Sequence, residues 1–157
     1  MEEAVSAAGA AIIVVNGKSG MEVGTEKAWE LCDKYKLPSF VYVTNMDVDN
    51  ASFRQVVEEM TEKYGKKIAP FNLPIRENEK FVGYVNVIAE TGNRWQGKEV
   101  VPCEIPEYNK ANLQICRDTL MEAVAETSEE MMERYFGGET FSEAEIRAAL
   151  RTNVCDG

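Results

Sequence analysis

The chain has 157 residues, 45% hydrophobic and 28% charged, which predicts a globular protein of one domain or one domain plus a small appendage. Acidic residues outnumber basic ones by 27 to 17, and the resulting net charge of −10 has the wrong sign for wrapping nucleic acid. The absence of histidine excludes imidazole acid–base catalysis, Ser-His-Asp and Cys-His nucleophiles, and imidazole metal ligands within this chain.

The cysteine spacing and the N-terminal stretch bear on compartment. The four cysteines are Cys32, Cys103, Cys116 and Cys155. They contain no C-x-x-C pair, so no zinc site is predicted; we expect reduced thiols, although counting alone leaves disulfides open. The apolar stretch 7–15 is too short to span a bilayer and follows Glu2 and Glu3 rather than basic residues. A cytoplasmic protein without a membrane segment is expected.

The first part of the chain alternates predicted strands and helices. The apolar, β-branched run 10–15 predicts a strand buried on both faces, and residues 25–36 carry helical periodicity. Residues 39–43 predict a second buried strand, and Asn50 is a candidate cap for a helix over 51–64. Strand, helix, strand and helix with short connections predict a βαβ unit with a parallel sheet.

The pattern changes near residue 66. Residues 68–75 and 81–88 are strand-like with no helix between them, which predicts an antiparallel pair, and Gly92 and Gly97 are predicted to mark turns.

The C-terminal part is predicted to be helical. A long helix is predicted over 109–135, ended by Gly137-Gly138, and Ser142-Glu-Ala-Glu145 is a capping box that opens a last helix with Ile146 and Leu150 as apolar contacts.

Negative charge concentrates in the C-terminal part. Residues 1–98 carry 14 acidic and 12 basic residues, whereas residues 99–157 carry 13 acidic and 5 basic residues. Two interpretations stay open: a solvated, helix-rich surface, or an acidic face that docks a basic partner.

The sequence Gly17-Lys18-Ser19 follows the first predicted strand and looks like the end of a phosphate-binding P-loop. The complete motif needs a glycine five residues before Gly17, where this chain has Ile12, and no helix is expected to start at Lys18. An ordinary turn is therefore predicted.

The sequence Thr44-Asn45-Met46-Asp47 follows the second predicted strand. In α/β sheets, ligands bind at the carboxyl ends of parallel strands. GTPases carry an N-K-x-D motif in this place, whose carboxylate accepts two hydrogen bonds from the guanine edge; bonds to a charged group contribute roughly 1.5–3 kcal/mol. The alternative is that Asp47 caps the turn into the helix that starts at Asn50.

Segments spread over nearly the whole chain resemble the translational GTPase elongation factor G. They are GMEVGTE at 20–26, Trp29, DKYKLP at 33–38, YVTNMD at 42–47, ASFRQVV at 51–57, LPI at 73–75, FVGYVN at 81–86, SEEMMERY at 128–135 and SEAEIRAAL at 142–150. Their order along the chain is the order in that family, which is more specific than any single motif.

The resemblance implies an α/β fold: a partial P-loop-GTPase-like parallel sheet with flanking helices, plus an α+β inserted subdomain. Residues 1–65 would be the second half of the GTP-binding domain and residues 66–157 the inserted subdomain. The family's P-loop, switch I threonine, D-x-x-G segment with its histidine, and S-A-x loop have no counterpart here. The resemblance therefore implies an internal fragment without catalytic residues, which we predict to be inactive alone. Its parent would hydrolyse GTP, bind GTP or GDP with Mg, and act on the ribosome in translation elongation.

The resemblance also implies the site residues. Asp47 would contact guanine, while Thr44 and Asn45 stand where the family has Asn and Lys. The loss of an amide and of a long cationic side chain predicts weaker guanine binding than in standard members, as in a divergent paralogue with altered nucleotide use.

In the family, the inserted subdomain contacts the ribosomal stalk protein. Acidic helix residues are the candidate docking surface here: Glu129, Glu130, Glu133, Glu143 and Glu145. The alternative function is a divergent, non-hydrolysing module that docks the stalk or another basic partner. Neither a bound metal nor direct nucleic-acid binding is expected from this chain alone.

Overall fold

A computed structural model describes residues 2–78 and 80–156. The elements, in chain order, are α1 (Glu2–Ala7), β1 (Ala11–Asn16), α2 (Val23–Lys34), β2 (Ser39–Thr44), α3 (Phe53–Tyr64), a 3-10 turn (Gly65–Lys67), β3 (Asn72–Glu77), β4 (Lys80–Asn86), β5 (Thr91–Gln96), β6 (Glu99–Cys103), α4 (Glu107–Ala125), α5 (Glu129–Phe136) and α6 (Glu143–Asp156). The predicted mixed α/β architecture is confirmed.

The first sheet is a parallel pair. β1 and β2 pair in register from Ala11 opposite Ser39 to Asn16 opposite Thr44, and α2 connects them. This confirms the βαβ unit that the alternating pattern predicts.

One face of this parallel pair is packed by helices. Ile13 and Val15 of β1 form a buried cluster with Cys32 of α2 and with Val56 and Met60 of α3. The opposite face lacks such a cover: Ile12, Val14, Phe40 and Tyr42 are between 47% and 69% exposed. The prediction that these strands are buried on both faces is therefore wrong for this chain, because both helices pack against the same face.

The second sheet has four antiparallel strands in the order β3-β4-β5-β6. It packs against α4 and α6 through the buried residues Leu73, Ile75, Val85, Val87, Leu120, Val124, Phe141, Ile146 and Ala149. The predicted antiparallel pair is confirmed as β3 and β4. The sequence pattern does not indicate the hairpin of β5 and β6, since residues 91–96 are mostly polar and show no apolar alternation.

The two glycines of this region have different roles. Gly97 lies in the turn between β5 and β6, as predicted, with a φ of +66° that favours glycine. Gly92 lies inside β5, so its prediction as a turn residue is wrong. A Cβ at Gly92 would come 2.6 Å from the carbonyl oxygen of Cys103, so the close approach of the neighbouring strand explains the glycine.

Two predictions about where helices begin are wrong. The helix predicted over 109–135 is divided into α4 and α5, because the Ser128 hydroxyl accepts a bond from the Met131 amide at 3.2 Å and starts a new helix. In α3 the cap is Ser52, whose hydroxyl accepts from the Gln55 amide at 3.2 Å, and not Asn50, which has a φ of +63°.

The predicted end of α5 and start of α6 are confirmed. Gly137 is the C-cap of α5, and Gly138 follows with a φ of +78°. In the capping box, the Ser142 amide donates to the Glu145 carboxylate at 2.8 Å and the Glu145 amide donates to the Ser142 hydroxyl at 3.4 Å.

The cysteines and the helix lengths complete the picture. Cys32, Cys103, Cys116 and Cys155 are all free thiols, and burial raises the pKa of Cys32 and Cys116. Within the described ranges, no helix combines the length and apolar character needed to cross a bilayer.

Candidate functional site

Two loops meet at the carboxyl edge of the parallel pair. Asn16 and Thr44 are the last paired residues of β1 and β2. The adjacent loop (residues 17–22) follows β1, and the recognition loop (residues 45–52) follows β2. Because the strands are parallel and in register, the two loops leave the sheet side by side.

Hydrogen bonds join these loops at Gly17. The Gly17 amide donates to the carbonyl of Thr44 and the Ser52 amide donates to the carbonyl of Gly17, both at 2.8 Å. A Cβ at Gly17 would lie 2.6 Å from Sδ of the buried Met46 and 2.9 Å from the Thr44 carbonyl oxygen. The glycine therefore permits the contact that holds the two ends of the recognition loop. The segment is a turn and α2 begins only at Val23, so the prediction that no phosphate-binding helix starts at Lys18 is confirmed.

The three predicted nucleotide-contacting residues lie within four consecutive positions but differ in environment. Asp47 and Asn45 are exposed, and Asn45 has the left-handed φ of +55° that asparagine tolerates. Thr44 is half-buried, and its hydroxyl donates to the carbonyl of Val15 at 3.3 Å. The carboxylate is thus presented to solvent at the sheet edge, whereas the threonine hydroxyl is engaged with β1. The cap of α3 is the Ser52 hydroxyl, so that role does not fall to Asp47.

A glutamate from α3 holds the adjacent loop. The Met21 amide donates to the Glu59 carboxylate at 2.9 Å, and the Gln55 side-chain amide donates to the same carboxylate at 2.9 Å. These bonds, that of Met21 first, lower the pKa of Glu59. Gly20, which precedes Met21, has a φ of +73°, and a Cβ there would lie 2.3 Å from the Glu59 carboxylate. Helix α3 thereby fixes the loop that follows β1.

An arginine from the second sheet holds the recognition loop. Arg76 of β3 donates from Nη1 to the carbonyl of Ala51 at 2.6 Å and from Nη2 to the carbonyl of Val48 at 3.1 Å. Both acceptors lie between Asp47 and the start of α3, so the antiparallel sheet contacts the backbone of the loop that presents Asp47.

The five acidic docking candidates fall into two groups. On α6, Glu143 pairs with Arg147 at 2.6 Å, and half-buried Glu145 pairs with Arg134 of α5 at 2.7 Å. The Arg134 bond, together with the capping-box bonds from Ser142, lowers the pKa of Glu145 to about 2.

On α5, Glu129, Glu130 and Glu133 are exposed. Residues 129, 132, 133 and 136 follow the spacing of one helix face. Met132 and Phe136 on that face are 39% and 80% exposed. The structure thus places acidic and apolar side chains together on α5, whereas the α6 acids are engaged in internal ion pairs.

The fit of a magnesium ion depends on a cluster of oxygen ligands. Among the residues that the structure describes, no group of three or more Cys, Asp or Glu side chains is placed to hold a metal.

The comparison with family models decides the family. Residues 1–141 match the model described as elongation factor Tu GTP binding domain. The chain belongs to this family of GTP-binding domains. Both sheets and the recognition loop lie inside the matched range.

Individual relatives agree with this assignment. The chain is 34% identical over 140 residues to an elongation factor G-like protein of Thermotoga maritima, and the match covers 89% of this chain and 20% of the relative. It is 35% identical over 148 residues to elongation factor G of Neorickettsia sennetsu, covering 92% of this chain and 21% of the relative. The chain spans about a fifth of the length of these curated relatives.

A solved structure shows the same fold. A crystal structure of a Thermus thermophilus protein superposes with a TM-score of 0.88 and 31% identity, covering 99% of this chain and 23% of that chain. The resemblance to elongation factor G, inferred from the ordered segments, is confirmed.

Sequence reasoning missed Glu59 and Arg76. The sequence gives only a weak signal for the role of Glu59. It lies one turn beyond Gln55 on the predicted helix, but its contact with the loop at Met21 exists only in the folded chain. Arg76 carries no signal of its own, because its acceptors are backbone carbonyls 25 and 28 residues away.

Proposed function

We propose that this chain is the guanine-recognising part of a translation factor of the elongation factor G type, which hydrolyses GTP with Mg and acts on the ribosome in the cytoplasm. The observation that carries the proposal is the position of Asp47: exposed, at the carboxyl edge of a parallel pair, on a loop bonded at its ends to the adjacent loop. Membership of the GTP-binding domain family supports it.

The chemistry of Asp47 suits guanine. An ionised carboxylate only accepts hydrogen bonds. Guanine offers two adjacent donors, the ring N1–H and the 2-amino group, whereas adenine lacks this pair. Two bonds to a charged acceptor, at roughly 1.5–3 kcal/mol for each, are sufficient to select guanine.

Thr44 and Asn45 are expected to contribute little to guanine binding beside Asp47. The Thr44 hydroxyl donates a hydrogen bond to β1. Asn45 has a short, exposed side chain without the long aliphatic stem and the positive charge of lysine. We therefore propose that guanine affinity is lower than in members that carry Asn and Lys at these positions, and that the combined substitutions Thr44→Asn and Asn45→Lys raise it.

The division of the chain also remains a proposal: residues 1–65 as the second half of a GTP-binding domain and residues 66–157 as an inserted subdomain. The change from a parallel pair to an antiparallel sheet supports it. The exposed apolar face at Ile12, Val14, Phe40 and Tyr42 suits contact with further parts of a larger domain. Since the chain lacks a P-loop motif, the isolated chain is expected to have no GTPase activity and no micromolar affinity for GDP.

The substitution Asp47→Asn in the full-length factor tests guanine recognition. Asparagine replaces one acceptor oxygen with an NH₂ donor, which suits xanthine, where a 2-oxo group replaces the 2-amino group. We expect weaker binding of fluorescent GDP by about tenfold or more, together with a gain in affinity for xanthosine diphosphate.

Asp49 provides the matched control, because it is an exposed aspartate in the same loop. Asp49→Asn is expected to leave both affinities unchanged. Equal GDP affinity in the Asp47→Asn variant and the unaltered protein would refute the proposal.

A second candidate function is favoured by the exposed face of α5. We propose that this face docks a basic partner with an apolar contact surface, the ribosomal stalk protein being the one that the family implies. Phe136 is 80% exposed and lies on the same face as Met132, Glu129 and Glu133. Glu130 extends the acidic surface, whereas Glu143 and Glu145 are already neutralised by arginines. If the chain instead acts as a non-hydrolysing binding module, which is the alternative function, it would use the same face.

Charge reversal on α5 tests docking. We expect Glu129→Lys with Glu133→Lys to reduce the association rate with purified stalk protein, and the effect to shrink as salt rises. The double variant Glu99→Lys with Glu104→Lys, at exposed positions in β6 and directly after it, makes the same change in net charge away from α5 and serves as the control. Unchanged rates in the α5 variant would leave solubility as the role of these acids.

A further inference from the structure

The contact between Arg76 and the recognition loop joins two parts of the fold. The guanidinium donates to the carbonyls of Ala51 and Val48 at 2.6 and 3.1 Å. Both carbonyls belong to residues that lie between Asp47 and the start of α3. A planar guanidinium donates along two directions at once, so it restrains two peptide groups relative to each other.

Arg76 is itself held in place from α4. Its amide donates to the Tyr108 hydroxyl at 3.0 Å, and the same hydroxyl donates to the Arg76 carbonyl at 2.9 Å. The buried Asn109 donates from its side-chain amide to the carbonyl of Pro74 at 3.1 Å. Tyr108 and Asn109, in the first turn of α4, thus form hydrogen bonds with the backbone of β3 at Arg76 and Pro74.

The local strand geometry explains why Arg76 is available. The register of β3 with β4 shifts between Ile75 and Arg76. Such irregularities re-aim a side chain and disturb the ladder locally. Ile75 is buried in the core of the second sheet, whereas the Arg76 side chain reaches the recognition loop beside the parallel pair.

The remaining bonds of the recognition loop lie at its ends or are long. The Ser52 amide donates to Gly17 at 2.8 Å, while within the loop the Ala51 amide donates to the Val48 carbonyl at 3.3 Å and the Val48 amide to the Asn45 carbonyl at 3.5 Å. The carbonyl of Val48 is therefore shared by the internal turn and Arg76. Loss of the guanidinium would weaken the support of the segment next to Asp47.

We infer that Arg76 is a positioning residue for Asp47: through the Val48 and Ala51 carbonyls it holds the recognition loop, and Tyr108 couples this hold to helix α4. The guanine-related part of this inference rests on the proposed function of Asp47.

Hydrogen exchange on the chain itself tests the hold without any nucleotide. We expect Arg76→Ala to accelerate exchange of the Ala51 and Ser52 amides by about tenfold, with a smaller acceleration in Arg76→Lys, which keeps the charge and N–H donors but lacks the rigid planar fork that fits both carbonyls. Exchange of the β4 core amide of Val85 should stay unchanged, which distinguishes local release from global unfolding.

Arg94→Ala is the matched control. Arg94 lies in β5 of the same sheet and forms a surface ion pair with Glu77 at 2.6 Å. It is expected to leave the loop amides unchanged, and Tyr108→Phe is expected to accelerate them less than Arg76→Ala. Unchanged Ala51 and Ser52 exchange in Arg76→Ala, or equal acceleration in Arg94→Ala, overturns the inference.

Fluorescent GDP binding to the full-length factor tests the consequence for Asp47. Arg76→Ala should weaken GDP binding several-fold, and combining it with Asp47→Asn should add no further loss, because Arg76 acts through Asp47. Additive losses, or normal GDP affinity in Arg76→Ala where Asp47→Asn is impaired, overturn the positioning role. If Asp47→Asn retains full GDP affinity, the proposed guanine contact fails, and the exchange result alone decides whether Arg76 holds the loop.

Discussion

The substitution Gly17→Ala examines how tightly the two loops are packed. The added Cβ would lie 2.6 Å from Met46 Sδ and 2.9 Å from the Thr44 carbonyl oxygen. The thioether can move, but the carbonyl belongs to the end of β2 and accepts the Gly17 amide at 2.8 Å. The backbone must therefore shift, and overpacking of this kind costs about 1–3 kcal/mol of unfolding free energy.

The assay is urea denaturation of the chain followed by circular dichroism, together with thermal melting. In a chain of this size each kcal/mol corresponds to a fall in Tm of about 2–4 °C. Because the Gly17 carbonyl also accepts from Ser52, hydrogen exchange at the Ser52 amide should accelerate in the same variant.

Gly24 is the matched control for this substitution. It lies in the first turn of α2, and a Cβ there meets nothing within 4 Å. Gly24→Ala is expected to be neutral or to stabilise by up to about 1 kcal/mol, since alanine has the higher helix propensity. A Gly17→Ala protein as stable as the unaltered chain, within about 0.5 kcal/mol, would refute the packing argument.

Three further predictions concern the core, a helix cap and an ion pair. Leu120→Ala should destabilise by about 2–5 kcal/mol in chemical denaturation because the side chain is fully buried, whereas Ile115→Ala, at a site that is 63% exposed on the same helix, should change stability by less than about 0.5 kcal/mol. Ser52→Ala should cost about 1 kcal/mol by removing the hydroxyl that caps α3, whereas Asn50→Gly, which accepts the φ of +63° at that position, should leave the cap intact and the melting curve nearly unchanged. Glu145, whose pKa falls from 4.5 to about 2 on folding, contributes stability that is present above pH 4.5 and is lost as pH falls towards 2. Glu145→Gln should therefore flatten the fall of Tm over this pH range, and an identical pH profile would contradict the role of its ion pair.

The sequence was most informative where neighbouring residues set the structure. The β-branched runs ending at Val15 and Val43 predict β1 and β2, and the Ser142–Glu145 box predicts the start of α6. In these cases the pattern repeats within one element, or donor and acceptor lie three residues apart. The ordered segments likewise predict the family, and the comparison with family models confirms it.

Errors arose where two local signals compete. Both Asn50 and Ser52 are good N-cap residues, and only the backbone conformation, with Asn50 at a φ of +63°, leaves the cap to Ser52. Similarly, the helical spacing of apolar residues continues from α4 into α5, and only the cap formed by Ser128 divides the two helices. Glycine serves both turns and close strand contacts, and the sequence does not show the neighbouring strand, so it predicts a turn at Gly92 where β5 in fact continues.

The sequence by itself determined the order β1, α2, β2 and α3, the antiparallel pair β3 and β4, the family, and Asp47 as the candidate guanine contact. Only the tertiary structure decided that Glu145 is engaged by Arg134, and that Arg76 reaches the carbonyls next to Asp47. The physical reason is the range of the interactions. Periodicity and caps are set by residues within a turn or two, whereas a guanidinium selects its acceptors from groups that chain folding brings together across 25 or more residues.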